Sequence, residues 1–241
     1  YSCHLSRTGH VAARECTTMT PRVSVLQLDT RFPRIAGDVA AETTYTTSPE
    51  IIRIRGAGVD QIVTQDPACV DITPFVEAAR KAKGDVITTS CGFLAPFEDL
   101  LAKEVDRPFL ASSLNALPCL SKKISGAQIQ ILTFDADRLC AAHFPGRSAV
   151  RVVGLRPDSH LRQVIQSDAL HLDPALACHE MIDGLRDDIS DTCHLIVLEC
   201  TNLPPYKSAI QTELDLKTFD ILDRIEATCS GAIRPQHLSP S

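Results

Sequence analysis

Two stretches of the chain place a cysteine where it could act as an acid or a base: Val86-Ile87-Thr88-Thr89-Ser90-Cys91-Gly92-Phe93 and Leu195-Ile196-Val197-Leu198-Glu199-Cys200-Thr201-Asn202. In each, a run of apolar and β-branched residues, the pattern of a strand buried on both faces, stops just short of the cysteine. Ligands of open parallel sheets gather beyond the carboxyl ends of the strands, so both thiols are expected to reach a cleft. A thiol at its ordinary pKa of ~8.5 is mostly protonated at neutral pH. Unpaired N–H groups at the start of a following helix would favour the thiolate and bind a substrate carboxylate. Gly92 permits a close backbone approach, Phe93 follows it beside the expected substrate, and Thr201 and Asn202 offer a hydroxyl and an amide. A single cysteine is more often an inert core thiol; the repeated context favours a functional pair. The two lie 109 residues apart in a chain of 241, which suggests an internal duplication around a pseudo-twofold cleft. Such a cleft suits inversion of a stereocentre, because one group must remove a proton from one face while another delivers a proton to the opposite face.

The elements that must position these thiols read as an alternation of strands and helices. Strands are predicted over 22–28, 50–55, 85–89, 108–112, 128–134, 149–155 and 194–198, the pattern of a mainly parallel sheet covered by helices. After Cys91, apolar Leu94, Phe97, Leu100 and Leu101 predict one helical face within 94–105. After Cys200, Pro204-Pro205 sets the start of a helix near 206–214. Thr73 before Pro74 and Asp173 before Pro174 read as helix caps. No low-complexity linker divides the chain, so two lobes would have to interlock.

Composition narrows the function classes. With 44% hydrophobic and 22% charged residues the chain is ordinary for a globular protein. A net charge of -6 gives no general attraction to nucleic acid or to anionic lipid. No apolar run approaches the roughly 20 residues of a membrane-spanning helix. Residues 1–20 lack the apolar stretch of a secretory signal peptide. They read as a flexible extension, with Met19 near the start of the folded domain. Ten cysteines amount to ~4% of the chain, below the density of disulfide scaffolds, which fits a reducing cytoplasm. Paired short-spacing ligand motifs are missing, so no metal site is expected.

At the two cysteine-bearing strands, at Leu28-Asp29-Thr30, at Thr133 and at Phe219-Asp220, the chain resembles the aspartate/glutamate/hydantoin racemase superfamily, from about Arg22 to near the C-terminus. Cys200-Thr201-Asn202-Leu203-Pro204 is similar to the Cys-Thr-His-Tyr-Pro motif of glutamate racemases. The resemblance implies an α/β fold of two pseudo-symmetric flavodoxin-like lobes with parallel sheets. Residues 21–114 with 215–241 would form the first lobe and 115–214 the second, with the active site between them. It also implies a cofactor-independent isomerase, free of metal and pyridoxal phosphate, that racemises or epimerises a small carboxylate such as an acidic amino acid. Cys91 and Cys200 would be its acid/base pair, Asp29, Thr30, Thr133, Thr201 and Asn202 would position the substrate or the thiols, and a homodimer is expected. The chain departs from glutamate racemases in having Cys91-Gly92-Phe93 for Cys-Asn-Thr and Asn202 for the histidine of the second motif. It therefore reads as a divergent member.

Other readings stand beside this one. A maleate cis-trans isomerase would use one thiol to attack carbon, and an arylmalonate decarboxylase keeps only one cysteine. A silent small-carboxylate-binding protein could share the fold. A cysteine hydrolase needs a histidine at its nucleophile, and no motif places His143, His171, His179 or His194 there. Gly56-Ala57-Gly58 lacks the third glycine of a dinucleotide-binding turn.

Overall fold

The computed structural model describes residues 20–144 and 150–239. The expected extension and the domain start at Met19 lie outside the described residues except for Thr20. The described residues contain two four-stranded, all-parallel sheets. The first is built from β1 (Val23–Leu28), β2 (Glu50–Ile54), β3 (Val86–Thr89) and β4 (Phe109–Leu110) in the order β2-β1-β3-β4. The second uses β5 (Ile129–Thr133), β6 (Arg151–Gly154), β7 (Leu195–Leu198) and β8 (Lys217–Phe219) in the equivalent order β6-β5-β7-β8. This is the expected α/β architecture of two related lobes.

The central strands β3, β5 and β7 are buried along their whole length, and β1 at every residue but the half-buried Gln27, as continuous apolar runs require when helices cover both faces. One apolar core runs through both lobes, from Leu26, Ile54 and Ile87 to Ile131, Val197 and Ile210. A second cluster behind the first sheet joins Val23, Val25 and Val86 to Ile221, Leu222 and Ile225 of the helix Ile221–Thr228. The end of the chain thus returns to the first lobe. Just before that return, β8 pairs parallel with β7 through Leu195–Lys217, Ile196–Thr218 and Val197–Phe219.

Two local expectations need correcting. The segment after Cys91 is a 3-10 turn, Gly92–Phe97, followed by a short helix, Glu98–Ala102. Pro96 within it has no N–H to donate and disfavours the helical conformation at Ala95. Leu100 is 43% exposed, so the predicted apolar face does not form as a unit. Thr73 is the first residue of its helix, with no side-chain cap on Ile72 before it, whereas Asp173 does cap its helix by accepting from the N–H groups of Ala175 and Leu176. Among the described residues no helix is long and apolar enough to cross a membrane.

Candidate active site

The equivalence of the two sheets extends to the cysteines. Cys91 and Cys200 each stand two residues beyond the third-ordered strand of their sheet, β3 and β7. The residues before them are anchored alike: Ser90 N–H donates to Leu26 O at 3.0 Å, and Glu199 N–H to Leu132 O at 2.8 Å. The Thr201 hydroxyl donates to Ser90 O at 2.7 Å and ties the two cysteine-bearing loops directly.

Both thiols line one pocket of about 360 Å³, counting its mouth, at the lower end of the range for small-molecule sites. Leu28, Phe32, Val59, Val63, Phe93, Phe134 and Ile165 form its apolar walls, and Thr30, Arg34, Ser90, Glu199, Thr201 and Asn202 bring polar groups. Arg34 is the cation among the lining residues. Its Nη1 lies 3.3 Å from both carboxylate oxygens of Asp38, its Nη2 donates to Thr30 Oγ1 at 2.9 Å, and its guanidinium stacks 4.1 Å from the centre of the Phe32 ring. Its Nε is buried with no partner among the described residues. A carboxylate entering the pocket would supply that missing acceptor with a charge-assisted bond.

Burial works against the expected acidification of the thiols. Burial pushes the Cys91 thiol up to about 12, and the nearby Glu199 adds to the shift; the Phe93 N–H and Arg34 oppose it only in part. Burial raises Cys200 well above the usual thiol range, again with help from Glu199 and against the Asn202 N–H. The helix-start N–H groups are present, but a 3-10 turn offers a weaker field than a full helix, and desolvation of the charged form outweighs it.

Glu199 is itself unusual. It is 1% exposed at the end of a buried strand, and burial lifts its carboxyl to about 7 against the hydrogen bonds of the Thr133 hydroxyl and the Phe134 N–H. A Cβ on Gly92 would lie 2.2 Å from Glu199 Oε1 and 2.3 Å from Glu199 O. Gly92 is therefore required by the close passage of Glu199 as well as by the cleft.

Of the other expected site residues, Thr30, Gly92, Phe93, Thr201 and Asn202 line the pocket. The Asn202 amide donates to Asp38 Oδ2 at 2.5 Å, and its Oδ1 accepts from Cys200 Sγ at 3.5 Å. Two are placed elsewhere. Asp29 turns outward to Arg53 Nε at 2.6 Å and Gly56 N–H at 2.8 Å, so it holds the turn after β2 and does not line the pocket. Thr133 is buried behind the pocket and donates to Glu199 Oε2 at 2.6 Å, so its contact is with Glu199. Arg34, Asp38 and Glu199 were missed. Glu199 had a readable signal, a charged residue closing an otherwise apolar strand; Arg34 and Asp38 sit in an irregular loop that carries no periodic pattern. Among the described residues no histidine lines the pocket.

Solved structures share this arrangement of lobes. An arylmalonate decarboxylase (Gly74Cys mutant, in a sulfate-associated form) superposes with a TM-score of 0.57 at 14% identity, covering 91% of this chain and 98% of that one. Allantoin racemase from Klebsiella pneumoniae gives 0.54 at 15% identity, covering 83% and 82%. This chain shares their α/β fold. Among curated proteins, dimethylsulfoniopropionate lyase 7 of Emiliania huxleyi (strain CCMP1516) is 24% identical over 227 residues, 84% of this chain. The chain spans 64% of that relative's length. No protein-family model matches the chain. At these identities what is shared is the fold.

Proposed function

We propose that the protein is a cofactor-independent enzyme that transfers protons at the carbon beside a carboxylate, a racemase or epimerase in which Cys91 and Cys200 serve opposite faces of that carbon. The observation that carries this reading is the equivalent placement of the two thiols, each just beyond the same strand of its sheet and both lining one small pocket. Arg34 Nε receives the substrate carboxylate, and the apolar walls exclude water. One thiolate takes the α-proton. The negative charge that develops on the α-carbon and carboxylate lies beside Arg34, whose fixed cation is most effective in a desolvated site. The second thiol then protonates the carbon from the other face. Reversing the roles of the thiols catalyses the opposite direction.

The match to a dimethylsulfoniopropionate lyase favours a second reading with the same first step. If the β-carbon carries a sulfonium group, removal of the α-proton is followed by cleavage of the C–S bond. The electron pair of the C–H bond becomes the C=C bond, and dimethyl sulfide leaves with the pair of the C–S bond. Only one thiol is then needed as a base.

Incubation in deuterium oxide separates the readings. The panel is L- and D-aspartate and glutamate, hydantoins, maleate and dimethylsulfoniopropionate, followed by NMR, chiral chromatography and headspace detection of dimethyl sulfide. α-Deuteration with inversion, abolished at least 10²-fold by either Cys91→Ala or Cys200→Ala, is the expected result. Release of dimethyl sulfide with acrylate would select the lyase. Maleate conversion to fumarate without α-exchange would select the isomerase. Carboxylate binding that survives both substitutions, with no turnover, would leave a binding protein.

A further inference from the structure

The near-symmetry of the two cysteine loops breaks at one position. Ser90 and Glu199 are equivalent, each preceding its cysteine and each donating its N–H to the equivalent residue of the neighbouring strand. Ser90 uses its hydroxyl to accept from Leu28 N–H at 2.9 Å. At the matching place, the Glu199 carboxylate faces the Phe134 N–H and accepts, at 2.6 Å, from the Thr133 hydroxyl through Oε2. A serine would have satisfied this role, as it does in the first lobe. The carboxylate instead introduces a second oxygen, Oε1, that is buried and has no partner among the described residues. That oxygen lies against Gly92, beside Cys91, in the lining of the pocket. A charged acceptor left unpaired in such a place is expensive unless it has a use.

We infer that Glu199 is the proton acceptor for the Cys91 thiol and later the proton donor to Cys200, so that the buried site carries one negative charge passed among a carboxyl and two thiols. This rests on the assignment of the two thiols as the acid/base pair. Above about pH 7 the resting site holds Glu199 ionised and both thiols protonated. The S–H bond of Cys91 breaks, its proton goes to Oε1, and a thiolate stands beside a neutral carboxylic acid with no change in net charge. Cys91 then takes the substrate proton and Cys200 gives up its own. The carboxylic acid returns its proton to the Cys200 thiolate, which restores the resting state; the reverse direction begins at Cys200. The device explains how thiols that are hard to ionise one at a time can supply a thiolate at neutral pH: the charge is already inside the site. The ionisable groups around Glu199 are Cys91 and Cys200, with Arg34 and Asp38 beyond them. On the β5 side, Asp135 is held by Arg162 at 2.8 Å.

The pH dependence of Cys91 alkylation tests this without any substrate. Protein treated with iodoacetamide is quenched and digested with trypsin, and the peptide 84–103, in which Cys91 is the single cysteine, is quantified by mass spectrometry. In the wild type the rate should rise about tenfold per pH unit below pH 7 and level off above it, because the charge available for transfer saturates once Glu199 is ionised. Glu199→Gln should remove the plateau and leave a rise that continues through pH 9. A wild-type profile without a plateau, or a plateau retained in Glu199→Gln, overturns the inference. Should Glu199→Gln fail to fold, Thr133→Val serves: loss of the bond to Oε2 should move the plateau to higher pH, and an unmoved plateau overturns the inference equally. A wild-type plateau lost in Glu199→Gln, in a protein that turns over no carbon acid, would leave the proton pair standing and remove the racemase reading.

Discussion

Glu199 also sets a stability balance that is independent of catalysis. Its carboxyl is raised from 4.5 to about 7, with burial the main cause. The folded protein therefore keeps a proton that the unfolded chain has already released between about pH 4.5 and 7, and folding stability falls as pH rises through that window. A shift of this size corresponds to roughly 3 kcal/mol. Glu199→Gln keeps an acceptor for Thr133 and carries no ionisation, so it should lose about 2–3 kcal/mol less stability than the wild type between pH 5 and pH 8. Urea unfolding at the two pH values checks this, and equal losses in the two proteins would show that the carboxyl is not held neutral by its surroundings. The same residue shows what the sequence could and could not tell about the site. The cysteines were legible because each closes a buried strand. Asp29 shows the limit, because an acidic residue after a strand looks the same whether it faces a ligand or, as here, Arg53 and a backbone N–H across the sheet edge. Arg34 acquires its meaning only from Asp38, Thr30 and Phe32 folded around it.

The elements were read with uneven success for a physical reason. The seven predicted strands are all present, since long apolar runs can be satisfied only in a sheet interior. The eighth, Lys217-Thr218-Phe219, is a short edge strand with an exposed lysine at its start, and three residues carry too little pattern to be seen. Its position is nevertheless pinned by charge. Asp220, just after β8, caps the helix Ile221–Thr228 by accepting from the N–H groups of Leu222 and Asp223. Its Oδ2 lies 2.7 Å from Lys207 Nζ, with the two side chains 0% and 3% exposed. Lys207 opens the helix that follows the Cys200 loop, so this buried pair joins the second lobe to the returning end of the chain. Removing one partner of a buried pair leaves the other charge stranded, at a cost of about 3–5 kcal/mol. Asp223, at 3.3 Å from Nζ, softens that loss, so Asp220→Ala should destabilise by about 3 kcal/mol. At this chain length the corresponding fall in Tm is about 6–12 °C. Asp220→Asn, which retains an oxygen for the cap, should lose less. A Tm within 2 °C of wild type for Asp220→Ala would mean that Lys207 is adequately served by Asp223 alone.

At the scale of the whole molecule, the proposed function requires that the loop carrying Phe32 and Arg34 be held across the cleft from the second lobe. Asp168, at the end of the helix His160–Ser167, makes that connection. Its carboxylate accepts from Arg31 N–H at 2.5 Å and Phe32 N–H at 3.0 Å through one oxygen, and from Arg31 Nε at 3.1 Å through the other. Burial pushes its carboxyl up, but the bonds from Arg31 and Phe32 outweigh it and leave the group below its ordinary value. A carboxyl depressed in this way contributes its full stabilisation above the unfolded pKa and loses it as pH falls through the folded one, so the tie is intact at neutral pH. Asp168 has φ 50°, a left-handed conformation that glycine adopts without strain. Asp168→Gly therefore removes the tie and leaves the backbone conformation available. Two backbone N–H groups would then lose partners worth about 1 kcal/mol each, in the loop that the proposed function assigns to presenting Arg34 to the substrate carboxylate. The cost should fall on binding, with KM rising about tenfold, the equivalent of about 1.4 kcal/mol. The two thiols and Glu199 keep their places on the strand ends, so kcat should stay within about threefold. Kinetics of α-proton exchange on the substrate found by the panel distinguish the outcomes. An unchanged KM with a depressed kcat would mean that Asp168 acts on the alignment of the thiols, and that the two lobes are coupled through the chemistry and not through the binding loop.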